Sequence, residues 1–382
     1  MEFCAKTQNS MTKYPETAIS EKREYLTQQL ITYIGNKRAL LGFIGEGVKK
    51  VQNKLQKNKL KIFDAFSGSG IAARYFKQFS EILIVNDLEK YSKIINECYL
   101  SNESEIDIVL LREYYNEIIS RTNEGLKNGI ISELYAPKDD NSIKCGDRVF
   151  YTRRNAMYID TVRQLVEEIP QGGRKFFLAP LLSEASVHAN TSGVFKGFYK
   201  NKETGMGQFG GNNEDALSRI TGDITLPFPV FSNFNCETVI CNDDSNYAIQ
   251  TIPEVDLAYL YPPYNQHPYG SNYFMLNLIT DYKHLGKISK VSGIPEDWRR
   301  SVYNKKNHAL SALTYLVKNI KSKFVLISFN SEGFIKVQQM KEMLENIGKL
   351  DMLDMEYNTF RGSRNLKSRD IHVKEYLYLL EK

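Results

Sequence analysis

The sequence predicts an α/β protein with a mixed seven-stranded sheet and an inserted region in the middle of the chain. Two local observations support the α/β part of this prediction. Short apolar runs alternate with segments of helical periodicity, and the last two apolar runs follow each other without a helix between them. Alternating strands and helices favour a largely parallel sheet, and adjacent terminal strands favour an antiparallel hairpin at one edge.

The elements follow in a simple order. Residues 59–66 form a strand, Ser67 to Gly70 a glycine-rich turn, and 71–79 a helix. A second strand over 81–87 precedes an amphipathic helix over 88–100. The later predicted elements are strands at 236–243, 255–261 and 323–330, a helix at 333–348, and strands at 349–357 and 374–381.

Residues 141–235 interrupt this alternation. The stretch from Gly193 to Phe231 is rich in glycine, polar and aromatic residues and has no clear period. We therefore predict an inserted region outside the sheet. The first 27 residues are polar and are predicted to form a loose arm.

Size and composition set broad limits. The 382 residues exceed one average domain, and 42% hydrophobic with 25% charged residues is ordinary for a soluble globular protein. No apolar run approaches the roughly 18 residues that span a bilayer, and the N-terminus lacks a signal-peptide core. Five scattered cysteines show no zinc-site spacing and indicate a reduced, cytoplasmic protein without a metal. The net charge of +5 permits a polyanionic partner without requiring one.

The glycine-rich turn is the first candidate ligand site. Such a turn lets a ligand approach the backbone at the positive end of a helix. It matches neither the dinucleotide nor the Walker pattern, and a plain tight turn is equally compatible. Its candidate residues are Asp64, Phe66, Ser67, Gly68 and Gly70.

Two acidic residues follow later strands. Asp87 lies about 20 residues after the glycine turn, where an acid can accept hydrogen bonds from ribose hydroxyls. A helix cap is the alternative for Asp87. Asp243 and Asp244 lie in an Asn-x-Asp-x-Asn pattern at the end of the 236–243 strand. Asp244 is the preferred candidate of the two for a ligand-binding acid.

The turn Tyr261-Pro262-Pro263-Tyr264 ends another apolar strand. By itself it is compatible with a proline-rich loop. It follows, however, Tyr33, Gly35, Asn36 and Lys37 of an aromatic-x-Gly-x-Lys segment, then the glycine turn and the irregular middle. This order resembles the α-type N6-adenine-specific DNA methyltransferases, the group with Dam-like and FokI-type modification enzymes. The resemblance covers most of residues 30 to 382.

The resemblance implies the S-adenosylmethionine-dependent methyltransferase (Rossmann-like) fold, divided into a cofactor-binding half (28–140), a target-recognition insertion (141–235) and a catalytic half (236–382). It implies S-adenosyl-L-methionine as cofactor, held by Tyr33, Gly35, Asn36 and Lys37 at its methionine end, by the glycine turn, by Asp87 at the ribose and by Asp244 at the adenine. It also implies double-stranded DNA as partner, in a bacterial cytoplasm, together with a cognate restriction endonuclease.

In this family the Pro-Pro turn begins with Asp, Asn or Ser, whose side chain and the first proline carbonyl accept hydrogen bonds from the target amine. Tyr264 would stack on the flipped base. Here Tyr261 is bulkier and neutral, so we expect a rate loss of roughly 10²–10³. The alternative is a catalytically inactive variant that still binds cofactor and DNA.

DNA contacts are expected at three places: a basic-aromatic stretch, the residues after the catalytic turn, and a basic C-terminal cluster. The basic-aromatic stretch, residues 189–201, is equally compatible with a surface hairpin that does not bind DNA. The basic C-terminal cluster is equally compatible with an ordinary solvated surface. The residues are Lys196, Tyr199, Lys200, Asn265, Tyr269, Asn272, Arg361, Arg364 and Arg369.

Overall fold

The computed structural model describes residues 20–28, 30–283, 286–358 and 372–382. Its strands confirm the seven predicted from the sequence, with bounds that differ by a few residues. They are β1 Leu60–Asp64, β2 Ser80–Asn86, β3 Glu237–Cys241, β4 Val255–Leu260, β5 Ser322–Asn330, β6 Lys349–Asn358 and β7 His372–Glu381.

The strands form one sheet in the order β3-β2-β1-β4-β5-β7-β6. Strands β1 to β5 are mutually parallel, whereas β7 runs antiparallel to both β5 and β6. The predicted antiparallel hairpin is therefore confirmed, with β7 inserted between β5 and the edge strand β6. The order reverses direction at β1 and β4, and such a switch point is where open α/β sheets bind ligands.

Helices cover both faces of the sheet. No helix among these described residues is long and apolar enough to cross a membrane. The α-helices are α1 Arg23–Thr27, α2 Leu41–Leu55, α3 Ile71–Phe76, α4 Lys90–Tyr99, α5 Ile108–Glu124, α6 Ile130–Leu134, α7 Arg153–Val166, α8 Gln171–Val187, α9 Leu217–Thr221, α10 Ser245–Thr251, α11 Tyr269–Asn272, α12 Phe274–Asp281, α13 Lys306–Asn319 and α14 Val337–Glu345.

Two hydrophobic clusters lie on opposite faces of the sheet. In β1, Ile62 packs into the larger cluster and the next residue, Phe63, into the smaller one. The larger cluster packs against α2, α3, α4, α7, α8 and α12, and the smaller against α10, α13 and α14. Because both faces are covered, β4 is buried at every position, as expected for a parallel strand.

The middle of the chain is more regular than we predicted. Between residues 141 and 235 the structure has two long helices, α7 and α8, and α8 packs against α4 and α12. The sequence analysis named no helix within 141–235, so α7 and α8 were missed. The helical periodicity of α7 lies in Ala156, Ile159, Val162 and Val166, which are all buried. No described residue of 141–235 joins the main sheet.

The close packing of α2 on the sheet gives a stability prediction. A Cβ at Gly47 would lie 2.8 Å from Cδ1 of Leu326, a fully buried β5 residue. We expect Gly47→Ala to lower the free energy of unfolding by about 1–3 kcal/mol through overpacking. Gly42→Ala in the same helix meets nothing within 4 Å and should raise it by up to about 1 kcal/mol. Urea unfolding of both variants tests this, and equal effects would contradict the packing argument.

Candidate cofactor and catalytic site

A cavity opens at the carboxyl ends of the central strands, beside the switch point between β1 and β4. It encloses about 610 Å³, a volume that includes its open mouth. Segments that follow β1, β2, β3 and β4 all reach it. The lining residues are Tyr33, Phe66, Gly68, Asp87, Leu88, Glu89, Asp244, Ser245, Tyr261, Pro263, Tyr269, Gly270, Arg299, Ser301, Tyr303 and Asn304.

The glycine turn leads from β1 into α3 and forms one wall of the cavity. Gly68 has φ +52°, and a Cβ there would lie 2.8 Å from the ring of Tyr33. Ser67 is buried and supports the turn, because its N–H donates to the Asn86 carbonyl at 2.9 Å. Phe66 and Gly68 therefore face the cavity, while Ser67 holds the loop from behind.

Two acidic side chains follow β2. The Asp87 carboxylate accepts hydrogen bonds from the Gly68 N–H at 2.8 Å and the Glu89 N–H at 2.9 Å. Asp87 thus joins the β2 end to the glycine turn, and the residue at the N-cap of α4 is Glu89. Glu89 was not among the predicted site residues, yet it lines the cavity and accepts from Asn277 Nδ2 at 2.6 Å.

Asp244 follows β3 and begins α10. Its Oδ1 accepts from the Asn246 N–H at 2.9 Å, which caps the helix, and the side chain also lines the cavity. The neighbouring Asp243 is exposed, and its carbonyl accepts from Asn86 Nδ2 at 3.0 Å. The geometry therefore favours Asp244 over Asp243 as the acid that faces a ligand.

The 33–37 loop covers one side of the cavity. The Tyr33 ring stacks on Tyr269 and Tyr273, with centroid distances of 5.0 and 4.9 Å. The Ile34 N–H donates to the Tyr273 hydroxyl at 2.8 Å, and the Tyr269 hydroxyl donates to the Ile34 carbonyl at 3.0 Å. These contacts dock the loop onto α11 and the start of α12.

The remaining predicted residues of this loop support it from within. Asn36 Oδ1 accepts from the Arg38 N–H at 2.9 Å, and Gly35 has φ +76°. Lys37 is buried and forms an ion pair with Glu375 on β7. None of these three residues lines the cavity.

The catalytic turn begins directly after β4. Tyr261 and Pro263 line the cavity, whereas Pro262 is buried. The Tyr264 ring contacts Phe329 edge-on, with centroids 6.1 Å apart, and its carbonyl accepts from the Phe334 N–H at 2.9 Å. The structure thus places the Pro-Pro-Tyr turn beside the glycine turn and Asp244.

The predicted DNA-contact residues are dispersed. Lys196 and Lys200 are exposed, and Tyr199 is half-buried. Lys200 lies at the base of a hairpin that its bridge with Gly207 closes. Arg361, Arg364 and Arg369 lie outside the described residues.

Near the catalytic turn, Tyr269 lines the cavity and Asn265 Oδ1 accepts from the His267 N–H at 3.0 Å. Asn272 is buried and its carbonyl accepts from the Phe195 N–H at 2.7 Å. The side-chain Oδ1 of Asn272 is buried and has no hydrogen-bond partner among the described residues, and its contact with DNA stays a prediction.

The segment 298–304 completes the cavity and was missed by the sequence analysis. Arg299 Nη1 donates to the Leu88 carbonyl at 2.6 Å. The Tyr303 ring meets Phe66 edge-on, with centroids 5.1 Å apart, and its hydroxyl donates to Asn246 Oδ1 at 2.6 Å. Trp-Arg-Arg-Ser-Val-Tyr interleaves aromatic and basic residues as 195–200 does, so the same criterion could have found it.

Burial dominates the electrostatics of three carboxyl groups around the cavity. It raises the pKa of Asp64 to about 8, against the hydrogen bond from the Phe66 N–H. Burial likewise raises the pKa of Asp87 to about 6 and of Glu89 to about 7. The Asp64 carboxyl lies behind the cavity and its Oδ2 has no hydrogen-bond partner in the described part of the chain.

The strand order, with β7 antiparallel between β5 and β6, and the glycine turn after β1 define an S-adenosylmethionine-dependent, Rossmann-like methyltransferase fold. The family model for the D12 class N6 adenine-specific DNA methyltransferase matches residues 33–343. The chain belongs to this family, as the motif order predicted.

Curated relatives agree with this assignment. The chain is 30% identical to the type II methyltransferase M.NlaIII of Neisseria lactamica, covering 92% of this chain and 99% of that protein. It is 28% identical to M.CviAII of Paramecium bursaria Chlorella virus 1, over 92% and 98%. It is 25% identical to the modification methylase StsI of Streptococcus sanguinis, covering 92% of this chain but 52% of that protein.

The raised pKa of Asp64 gives a pH prediction. The fold favours its protonated form, so its stabilisation is complete below the ordinary pKa of 3.8 and is lost as pH rises through about 8. Between these values the free energy of unfolding should fall with pH, by at most about 1.4 kcal/mol per unit from this group. Asp64→Asn should flatten that dependence in urea unfolding at pH 5 to 9.

Asp223→Asn, at an exposed aspartate, serves as the control and should leave the dependence as in the wild type. A wild-type slope that survives Asp64→Asn unchanged would show that Asp64 is ionised in the folded protein.

Proposed function

We propose that the chain transfers a methyl group from S-adenosyl-L-methionine to adenine N6 in double-stranded DNA. The observation that carries the proposal is the single cavity shared by the glycine turn, Asp244 and the Pro-Pro-Tyr turn. The names of the relatives, type II methyltransferases and modification methylases, support a role as the modification enzyme beside a cognate restriction endonuclease.

The residues around the cavity fit the cofactor. Phe66 and Tyr303 offer aromatic surfaces for an adenine ring, and Asp244 offers a carboxylate at its edge. Asp87 and Glu89 bring acidic oxygens to the β2 side, where ribose hydroxyls would donate. Position 68 requires glycine, because any side chain there would collide with Tyr33. The bare backbone of Gly68 leaves room for the cofactor. Bound here, the cofactor supplies an electrophilic methyl group.

The catalytic turn prepares the amine. An exocyclic adenine amine is a poor nucleophile because its lone pair is delocalised into the ring. Two acceptors for its hydrogens, the Pro262 carbonyl and the Tyr261 hydroxyl, would make the nitrogen more tetrahedral. The prolines restrict the backbone so that the carbonyl keeps its direction. Tyr264 would stack on the base once it has left the duplex.

Exposed cations support duplex binding. Lys196 and Lys200 are exposed four residues apart, and Arg299 and Arg300 are exposed on the 298–304 segment at the cavity. The Lys196 carbonyl accepts from Ser292 Oγ at 2.8 Å, which joins the chain around Lys196 to the 286–304 region. Exposed lysine and arginine side chains such as these suit contact with DNA phosphates.

Tyr261 favours a second candidate function, a variant that binds cofactor and DNA but does not turn over. A phenol is a neutral acceptor where the family has Asp, Asn or Ser. The two functions differ in one respect, the presence of methyl transfer by a chain that demonstrably binds the cofactor.

We expect slow but measurable transfer by the wild type and a rate higher by about 10²–10³ for Tyr261→Asp, because a carboxylate is the stronger acceptor. Radiolabelled methyl transfer to duplex DNA under single-turnover conditions measures both rates. Equal rates would show that the phenol is no handicap. Transfer by the variant alone would identify the wild type as the inactive binder.

Cofactor affinity tests Asp244 against a matched neighbour. Asp244→Asn removes the charge that faces the cavity and should weaken cofactor binding about 10–100-fold, the loss expected for a hydrogen bond to a charged group. Asp243→Asn, at the exposed adjacent position, should leave affinity within about twofold. Isothermal titration calorimetry gives both constants, and equal effects would contradict the assignment of Asp244.

A further inference from the structure

The ring of Tyr261 is held on its face by a buried cation. Lys37 Nζ lies 3.8 Å from the ring centroid. A cation over an aromatic face is attracted by the ring quadrupole, and the attraction is larger when the cation is desolvated. Lys37 is 3% exposed, so this contact is largely shielded from water.

The cation is itself fixed by the sheet. Lys37 Nζ pairs with Oε1 of Glu375 on β7, and the same oxygen accepts from Ser328 Oγ on β5 at 2.6 Å. Glu375 and Ser328 are both fully buried. A buried lysine held in this way has little freedom to leave the ring.

The hydroxyl end of Tyr261 is confined as well. A Cβ at Gly35 would lie 2.5 Å from the Tyr261 Oη, so the phenol lies directly against the Gly35 backbone. The side chains of Tyr261 and Tyr264 are hydrogen bonded to each other, with ring centroids 6.0 Å apart. Glycine at position 35 and tyrosine at position 261 are therefore sterically matched.

Lys37 has a different position from the one the family resemblance implies. A lysine that binds the methionine end of the cofactor should present its ammonium to the cavity, yet Lys37 does not line it. Its ammonium points to Glu375 and to the Tyr261 ring instead.

We infer that Lys37 and Glu375 are positioning residues for Tyr261, which hold its ring so that the phenol oxygen can accept a hydrogen bond from the target amine. The inference rests on the proposed methyl transfer. It also gives the tyrosine a defined role, since a loosely held phenol would seldom meet the amine, and misplacement by about 1 Å can cost 10²-fold in rate.

The test removes the pair as a unit. Substitution of one partner would leave the other charge buried and alone, so we combine Lys37→Met with Glu375→Gln. The matched control is Lys54→Met with Glu381→Gln. This second ion pair also joins the 33–55 region to β7, but both of its side chains are about 40% exposed. The readouts are the single-turnover rate and the dissociation constant of the cofactor.

We expect the buried-pair variant to lose about 10–100-fold in rate with a cofactor dissociation constant within threefold of the wild type. The surface-pair control should change neither quantity. Lys37→Arg, which keeps a cation able to stack on the ring and to pair with Glu375, should recover most of the rate.

A double-mutant cycle with Tyr261→Phe separates positioning from general damage. Where the hydroxyl is absent, the buried-pair substitutions should cost no more than about threefold in rate. Full multiplication of the two losses would show that the pair acts independently of the hydroxyl and would overturn the inference. Weaker cofactor binding by tenfold or more at an unchanged rate would overturn it too, and would assign Lys37 to the cofactor.

A fluorine label keeps the inference testable without turnover. With 3-fluorotyrosine at position 261, the ¹⁹F spectrum should show one narrow resonance in the otherwise wild-type chain and a shifted or broadened one in the buried-pair variant. An unchanged resonance would overturn the inference. A wild type that transfers no methyl group would instead contradict the proposed function, whatever the fluorine spectrum shows.

Discussion

The ion pair between Lys37 and Glu375 is the contact on which the arrangement of the site depends. It joins a loop near the beginning of the chain to the last strand, beneath the catalytic turn. Two buried charges are costly unless they are paired and further hydrogen bonded, and Ser328 supplies the additional bond. The pair therefore sets where the 33–37 loop can dock, and with it one side of the cavity.

The sheet topology makes this contact possible. Because β7 runs antiparallel between β5 and β6, Glu375 near its start pairs with Asn330 at the carboxyl end of β5. The parallel strands β1 to β4 bring their own carboxyl ends to the same edge, with the glycine turn, Asp87, Asp244 and Tyr261 following them in turn. The antiparallel strand β7 thus places the Glu375 carboxylate beside Lys37, whose ammonium lies over the Tyr261 ring of the catalytic turn.

Local patterns were sufficient to predict much of this protein. Strands such as β1 and β4 could be predicted from apolar runs that end in turn residues. The glycine turn and Asp244 could be predicted as site residues because they lie directly after such runs. The helices α7 and α8 were missed because the irregular stretch after them dominated the assessment of the whole region.

Other features could not be predicted from local patterns, because they depend on tertiary contacts. Lys37 and Glu375 are 338 positions apart, so nothing near Lys37 indicates that its ammonium faces β7 rather than a cofactor. Arg299 and Tyr303 line the cavity because the 298–304 segment lies at the strand ends, and Glu89 lines the same cavity from the N-cap of α4. Neither position can be read from the residues next to it in the sequence. The burial of Asn272 could not be predicted either, because the sequence around it is polar.

We propose that one cavity brings a methyl donor and a target adenine to the Tyr261-Pro262-Pro263-Tyr264 turn. The most direct test is to map modified bases by single-molecule sequencing in DNA from a methylation-deficient host that expresses this chain. We expect N6-methyladenine at one short recurring site. Unmodified DNA from a host with abundant folded protein, or methylation of cytosine instead, would contradict it.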